Sequence, residues 1–125
     1  MWLPPGSGMP VHWPAFWAVG TGRWPTTGEI DVMEVVHGRL CWHFHYPGGD
    51  PGGCPTIPTP AGWHTFGADW EPGSITYYYD HAVVGRVTRG VTRSPMFLVA
   101  NLGIRRGDGP RGARTALDYV RVWQH

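Results

Sequence analysis

The sequence predicts an all-β sandwich, and three features of the 125-residue chain carry that prediction. Short apolar runs recur about every ten residues, which is the spacing typical of sandwiches and barrels. The 19 Gly and 13 Pro make the chain dense in turns. No 3.6-residue periodicity persists for even two turns, so no amphipathic helix is expected. A chain of this length is one domain, residues 1–125.

Eight runs have the composition of β-strands. In chain order they are residues 14–19, 28–36, 40–46, 63–70, 74–80, 82–88, 95–102 and 116–124. The link Asp80-His81 is short enough to close a hairpin between the two runs that flank it. Residues 47–62 contain five Pro and five Gly, so they are expected to form a loop. Residues 103–114 are expected to form a second loop.

Charge and hydropathy argue against nucleic acid as a partner, against a membrane span and against a signal peptide in this chain. The net charge is +1 and the ten basic residues, all Arg, are scattered, so no basic stripe for nucleic acid is visible. No run of 18 apolar residues exists that could span a membrane. The first eight residues lack a basic region followed by an apolar one, so they are not a signal peptide. An extracellular location is expected if such a signal lies outside this chain.

The segment Glu29-Ile30-Asp31-Val32-Met33-Glu34 is the most informative in the sequence. Side chains alternate between the two faces of a strand, so Glu29 and Asp31 share one face and the apolar neighbours share the other. Glu34 breaks this alternation, and an ionised carboxylate in a core is strongly disfavoured. One extra residue, a β-bulge at Val32-Met33, returns Glu34 to the face of the other acids. The sequence therefore predicts a bulge and three carboxylates on one surface.

Glycoside hydrolysis gives a strand a reason to collect acids that repel one another. One carboxylate attacks or stabilises the anomeric carbon while a second protonates the leaving oxygen, and a retaining enzyme holds the two carboxyl groups about 5–5.5 Å apart. Two long Glu side chains leaning together, Glu29 and Glu34, can approach this separation. Mutual repulsion raises the pKa of one acid and keeps it protonated. The alternative is a solvated strand face with three unpaired acids.

Five segments, in order, resemble family 16 of the glycoside hydrolases. The segment GEIDVMEVVHG resembles the active-site signature of this family in its bulged, laminarinase-type and agarase-type form. The other four are HWPAFWAVG, HTFGADWEPGSITYYYD, PMFLVANLGI and ALDYVRVWQH. The resemblance implies a concanavalin-like jelly-roll sandwich with a concave substrate groove. It also implies a retaining endo-β-glycosidase, laminarinase-like and active on a β-1,3-glucan.

The resemblance also implies roles for individual residues. Glu29 would be the nucleophile, Glu34 the general acid/base, and Asp31 would hold and tune Glu29. Residues expected to bind the polysaccharide are Trp13, Trp17, Trp24, His43, His45, Trp70 and Asn101. For Trp70 a position in the core is an equal alternative, and for the two histidines the alternatives are a metal pair or plain surface residues.

Two cysteines and the histidine pair raise the questions of a disulfide and a metal. Cys41 and Cys54 are expected to form a disulfide, because secreted enzymes fold in oxidising surroundings, and the alternative is two thiols. His43 and His45 share a face, but no Cys or carboxylate accompanies them at metal-ligand spacing, so no zinc site is expected. Asp118 matches a family calcium ligand whose partners lie in an absent segment. No cofactor is therefore expected.

Family members are about twice this length, so the resemblance implies a partial domain that lacks the N-terminal strands. Edges would then be unpaired and apolar faces uncovered. The segment GMPVHWPAFW also carries an insertion relative to the family pattern. The expected partner is a polysaccharide bound by a monomer. Two rival interpretations are a non-catalytic β-glucan-binding, lectin-like module and an inactive fragment of a longer hydrolase.

Overall fold

The computed structural model describes residues 1–3, 12–57, 61–104 and 114–124, and these residues form an all-β structure. Across these ranges there is no helix long and apolar enough to cross a membrane. The strands are β1 (Trp2–Leu3), β2 (His12–Gly20), β3 (Glu29–Val36), β4 (Arg39–His45), β5 (Gly52–Gly53), β6 (Gly62–Trp63), β7 (Phe66–Glu71), β8 (Ser74–Tyr79), β9 (Ala82–Val87) and β10 (Met96–Ile104).

The larger sheet has five antiparallel strands in the order β10-β2-β3-β4-β5. Its central strand β3 is buried along nearly its whole length. The register between β2 and β3 shifts after the pair Phe16 and Met33, and the next pair is Trp17 with Asp31. Val32 is therefore the extra residue of a β-bulge, as the sequence predicts.

The smaller sheet is the antiparallel meander β7-β8-β9, and β1 pairs with β6 beside it. Strands β8 and β9 form the predicted hairpin around Asp80-His81, whose φ values of 47° and 70° are both positive. Two positive φ values are typical of the tight turns whose twist matches that of a hairpin.

The core lies between the two sheets. The inner face of the larger sheet contributes Ile30, Val32, Met33, Val35, Leu40, Trp42 and Phe44, and the smaller sheet contributes Ile75, Tyr77, Tyr79 and Val87. The Trp42 ring stacks on Tyr77 with centroids 4.6 Å apart. Two buried hydroxyls join the sheets: Tyr77 donates to the carbonyl of His43 at 2.8 Å, and Tyr79 donates to that of Cys41 at 2.6 Å. Since both acceptors belong to β4, these two hydrogen bonds hold β4 in place against the smaller sheet.

Most predicted strands agree with the structure to within about two residues at each end. Run 63–70 is divided into β6 and β7, and the predicted loop 47–62 contains β5 and the first residue of β6. Strand β1 was not predicted, and the predicted loop 103–114 begins with the last two residues of β10. The strand predicted at 116–124 is wrong. Within that run, all of which the structure describes, the backbone of Ala116 alone pairs with another segment, in a bridge to Trp2. An apolar pattern forms a strand only when a neighbour satisfies its backbone groups. Of the predicted loop 103–114, residues 105–113 lie outside the described residues.

One side of the sandwich is open. A cavity of about 950 Å³ separates the inner face of the larger sheet, at Ile30 and Val32, from β7 and from residues 117–123. Large apolar side chains around it are exposed, including Leu98, Val122 and Trp123. This cavity lies on the opposite face of β3 from the carboxylates, so it borders the core and not the acidic face.

Candidate active site

The bulge places three carboxylates on the outer face of the larger sheet. Glu29 pairs with His45 of β4, Asp31 with His43 and Glu34 with Cys41, and the register shifts between Asp31 and Glu34. Residues directly opposite each other in a sheet share a face. The predicted bulge is confirmed, and it explains how Glu34 avoids the core.

The first half of the site is formed by Glu29, Asp31 and His45. His45 Nε2 lies 3.0 Å from Asp31 Oδ2 and 3.8 Å from Glu29 Oε1. Asp31 Oδ2 is buried and makes no hydrogen bond, although it lies at this distance from the imidazole. Trp24 donates a side-chain hydrogen bond to Glu29, and its ring lies 6.0 Å from that of His45.

The second half of the site is centred on Glu34, both of whose oxygens are engaged. Trp13 Nε1 donates to Oε2 at 2.9 Å, and His43 Nδ1 lies 2.6 Å from Oε1. Carboxylate oxygens of Asp31 and Glu34 and a nitrogen of His43 lie within 4.8 Å of one another. A similar spacing joins Asp31 to Glu29 and His45, so Asp31 lies between the two glutamates.

Burial sets the protonation of this row of acids. Loss of solvent, and after it the negative charges of Glu34 and Glu29, together raise the pKa of Asp31 to about 8. Burial also raises the pKa of Glu29, against the opposing effects of His45 and the Trp24 hydrogen bond. Asp31 therefore holds a proton at neutral pH. The sequence predicts that repulsion keeps one acid protonated, and the structure assigns the largest shift to the middle one.

Two features support the second half of the site: a glycine of β5 that leaves room for the His43 ring, and a disulfide that begins at β4 beside Glu34. Gly52 pairs with His43, and a Cβ on Gly52 would overlap the His43 ring. Cys41, opposite Glu34, forms a disulfide with Cys54. The position of Cys41 beside Glu34 was not predicted from the sequence, although Cys41 lies two residues before His43 and therefore shares a face with it. Nothing in the sequence signals the close fit at Gly52.

The predicted groove residues divide into those on the same face of the sheet as the carboxylates and one, Trp70, in the other sheet. Trp17 pairs with Asp31 and donates through Nε1 to Asn101 Oδ1 at 2.8 Å, so both lie on the outer face. Trp13 and Trp24 contact Glu34 and Glu29, as described above. In contrast, Trp70 pairs with the buried Ile75 in the smaller sheet, lines the open cavity and donates to Thr92 O. Trp70 therefore lies away from the carboxylates, but it is 38% exposed at the open cavity and is not part of the buried core.

The structure corrects one step of the metal argument. We expected no carboxylate at ligand distance from the histidine pair, and this is wrong, because cross-strand pairing brings Asp31 and both glutamates to His43 and His45. Among the described residues, the two groups with metal-binding spacing lie here, and Asp118 belongs to neither.

Comparison with known proteins agrees with this description. Residues 3–41 match the model of the XgeA-like catalytic GH16 domain. Endo-1,3-1,4-β-glycanase EglC of Rhizobium meliloti is 31% identical over 89% of this chain and 27% of its own length. The β-glucanase of Rhodothermus marinus is 28% identical over 98% of this chain and 54% of its own length.

Solved structures show the same architecture. The catalytic domain of the Thermotoga petrophila laminarinase superposes with a TM-score of 0.65 and 26% identity, over 82% of this chain and 49% of that one. The endo-β-1,3-glucanase of Pyrococcus furiosus gives a TM-score of 0.66 and 29% identity, over 82% and 47%. The fold is thus a jelly-roll β-sandwich with an acidic outer face. The chain is therefore similar, in residues 3–41 and in fold, to the catalytic domains of glycoside hydrolase family 16. It spans about half the length of these solved relatives or less.

Proposed function

We propose that this chain carries the catalytic centre of a retaining, endo-acting β-glycoside hydrolase. The observation that carries the proposal is the bulge at Val32, which holds Glu29, Asp31 and Glu34 on one face, with Asp31 within 4.8 Å of a carboxylate oxygen of each glutamate. Cleavage with retention requires two carboxyl groups close together on one side of the substrate. A solvated strand face does not account for the burial of Asp31 and Glu34, which are 6% and 9% exposed.

In the proposed reaction Glu29 attacks the anomeric carbon as the bond to the leaving oxygen breaks, and Glu34 gives its proton to that oxygen. Glu34 then removes a proton from water, the water attacks the anomeric carbon, and the bond to Glu29 breaks. Asp31, which keeps its proton at neutral pH, lies between the two glutamates and adds no negative charge beside the nucleophile Glu29. His43 and Trp13 hold the Glu34 carboxyl group from two sides.

The substrate that we propose is a β-1,3-glucan. The support is the likeness to the Thermotoga petrophila laminarinase and the Pyrococcus furiosus endo-β-1,3-glucanase. Exposed indoles beside the carboxylates, at Trp13 and Trp24, offer flat apolar surfaces on which sugar rings stack. We further propose that the protein acts outside the cell as a monomer, and the disulfide agrees with an oxidising compartment.

The proposal is tested by reducing-sugar release from laminarin, mixed-linkage glucan, agarose and carrageenan. We expect release from laminarin, a loss of at least a thousandfold in Glu29→Ala and Glu34→Gln, and unchanged circular dichroism. Azide added to Glu29→Ala should restore turnover and yield a glycosyl azide of inverted configuration, since azide takes the place of the missing nucleophile. Equal release by wild type and both variants would refute the mechanism.

A second candidate is a non-catalytic β-glucan-binding module. The observation that favours it is that the chain spans 49% of the solved laminarinase domain. A binding module would be retarded on laminarin-containing native gels with no release of reducing sugar. Retardation that survives in Glu29→Ala but is lost in Trp24→Ala would indicate binding through the indole alone.

A further inference from the structure

The acidic face carries an arrangement of donor atoms that overlaps the proposed catalytic residues but offers a different function. Three donor atoms, one each from Glu29, Asp31 and His45, lie within 4.8 Å of one another. The imidazole Nε2 is 3.0 Å from Asp31 Oδ2 and 3.8 Å from Glu29 Oε1. Donors bound to one tetrahedral zinc ion at about 2.1 Å lie about 3.4 Å apart, between these two distances. We infer that Glu29, Asp31 and His45 form a binding site for a divalent transition-metal ion such as zinc.

A buried oxygen without a partner supports the inference independently of the spacing. Asp31 is 6% exposed, and its Oδ2 atom makes no hydrogen bond although it faces His45 Nε2. Leaving a buried polar atom unpaired costs about 1–3 kcal/mol, so an unpaired atom in a native structure needs an explanation. A metal ion bound between Asp31, Glu29 and the imidazole would satisfy it.

The neighbouring group of Asp31, Glu34 and His43 is the weaker site. His43 Nδ1 already lies 2.6 Å from Glu34 Oε1, and Trp13 occupies Oε2 at 2.9 Å. A metal ion there would have to displace both interactions. At the first group, the contacts of His45 with the two carboxylates, at 3.0 and 3.8 Å, are looser.

The donor set selects among cations. One imidazole and two carboxylates suit zinc, which accepts nitrogen and oxygen ligands in a tetrahedral site with one position left for water. Calcium takes six to eight oxygen ligands, and three donors that include a nitrogen do not supply them. The site is open to solvent on one side, since the side chains of His45 and Glu29 are 26% and 19% exposed.

The consequence for activity rests on the proposed function, whereas the binding itself does not. A cation held by Glu29 neutralises the proposed nucleophile and occupies the space of the sugar. Zinc should therefore inhibit hydrolysis reversibly, and a chelator should restore the activity.

The test is isothermal titration of zinc chloride into the metal-free 125-residue chain, with thermal melts alongside. We expect one zinc ion per chain with micromolar affinity and a higher melting temperature with zinc. His45→Ala and the isosteric Asp31→Asn should each weaken binding at least tenfold. The matched control is His64→Ala, which removes a histidine paired at 2.8 Å with Asp80 in the other half of the structure, and it should bind as the wild type does.

Each outcome decides the inference. No uptake at millimolar zinc, or equal affinity in wild type and His45→Ala, would overturn it, as would loss of binding only in His64→Ala. Because titration needs no substrate, a chain that binds zinc but releases no sugar refutes the proposed function alone. A chain that cleaves laminarin but binds no zinc refutes this inference alone.

Discussion

At the scale of single residues, three acids that repel one another lie side by side, and neighbouring side chains contact individual carboxylate oxygens. Glu34 is held by His43 and Trp13, whereas Asp31 is buried with one oxygen unpaired. The middle acid therefore carries the cost of the arrangement, and its raised pKa is the physical sign of that cost. This imbalance makes a prediction about pH.

The free energy of unfolding should fall as pH rises through the range in which Asp31 loses its proton. The folded protein keeps this proton up to about pH 8, whereas the unfolded chain releases it near pH 4, so the folded state binds more protons in between. The contribution is therefore present at low pH and is lost as pH rises from about 4 to about 8. Asp31→Asn stays neutral, so its melting temperature relative to wild type should rise by several degrees over that range.

Melts from about pH 5 to about pH 8 in buffer with EDTA measure this difference. Asp69→Asn, which removes an exposed carboxylate on β7, is the matched control and should show no such trend. A difference between Asp31→Asn and wild type that stays constant across the range would contradict the prediction.

The position of His43 depends on the absence of a side chain at Gly52. A Cβ there would overlap the imidazole, so Gly52→Ala should push His43 away from Glu34. Overpacking of this kind typically costs about 1–3 kcal/mol. We expect kcat on laminarin to fall about tenfold or more with a smaller change in KM, because the displaced group holds the proton donor.

Gly67→Ala serves as the control for this substitution, since a Cβ on Gly67 comes no closer than 4.0 Å to its nearest neighbour. Its activity should match that of the wild type. Wild-type kcat in Gly52→Ala, with an equal melting temperature, would show that the imidazole position does not matter.

Much of the site was predictable because strand parity is a strict rule. Alternation along one strand, with one bulge, places the three acids together, and the pair 43 and 45 shares a face by the same rule. Which histidine meets which acid was not predictable, since it depends on the register between β3 and β4. The raised pKa of Asp31 was not predictable either, because it depends on burial by residues distant in sequence.

At the scale of elements, β4 is fixed from three directions and carries three residues of the site. Its inner face packs on the smaller sheet, its carbonyls accept from Tyr77 and Tyr79, and its outer face is tied to the following loop by the disulfide. The strands themselves were predictable from apolar runs and turns. The failure at 116–124 shows that such a run needs a neighbour, which no local pattern reveals.

The two tyrosine hydroxyls should stabilise the sandwich measurably. Removing the Tyr79 hydroxyl leaves the buried carbonyl of Cys41 without its donor, which costs about 1–3 kcal/mol. Tyr79→Phe should therefore lower the denaturant midpoint with an unchanged m-value. Tyr78→Phe, on the opposite face of β8, is the control, and an equal midpoint for both variants would argue against the contribution of this bond.

The disulfide should stabilise the same region by restricting the unfolded chain. It joins residues separated by 13 positions, for which chain-entropy arguments give about 3 kcal/mol. Reduction, or the double variant Cys41→Ser/Cys54→Ser, should lower the melting temperature by about 10 °C or more. A reductant should leave the melting temperature of the double variant unchanged. A wild type indifferent to reductant would show that the bridge adds nothing to stability.

At the scale of the whole molecule, the chain presents an intact central sheet with an open flank. The described sheets end at β10 and β7, whose outer edges have no strand beside them in the ranges that the structure describes. Around this flank Leu98, Val122 and Trp123 are 45%, 74% and 73% exposed. A contiguous apolar surface of this kind is unusual for an isolated monomer and is typical of a surface that packs against further protein.

The open flank should bind a hydrophobic dye in the native state. The cavity of about 950 Å³ is lined on one side by apolar residues of β2 and β3 and on the other by residues 117–123, so it offers both volume and apolar area. We expect 1-anilinonaphthalene-8-sulfonate to fluoresce with the folded chain and to lose most of that signal with Val122→Ser/Trp123→Ser. Both side chains are already exposed, so the double variant should melt close to the wild type.

The control is Val83→Ser, at an exposed position in β9 that does not line the cavity, and it should leave the fluorescence unchanged. Fluorescence that is equal in all three proteins would place the dye elsewhere. Dye binding that appears only as the chain melts would mean that the flank is closed in solution.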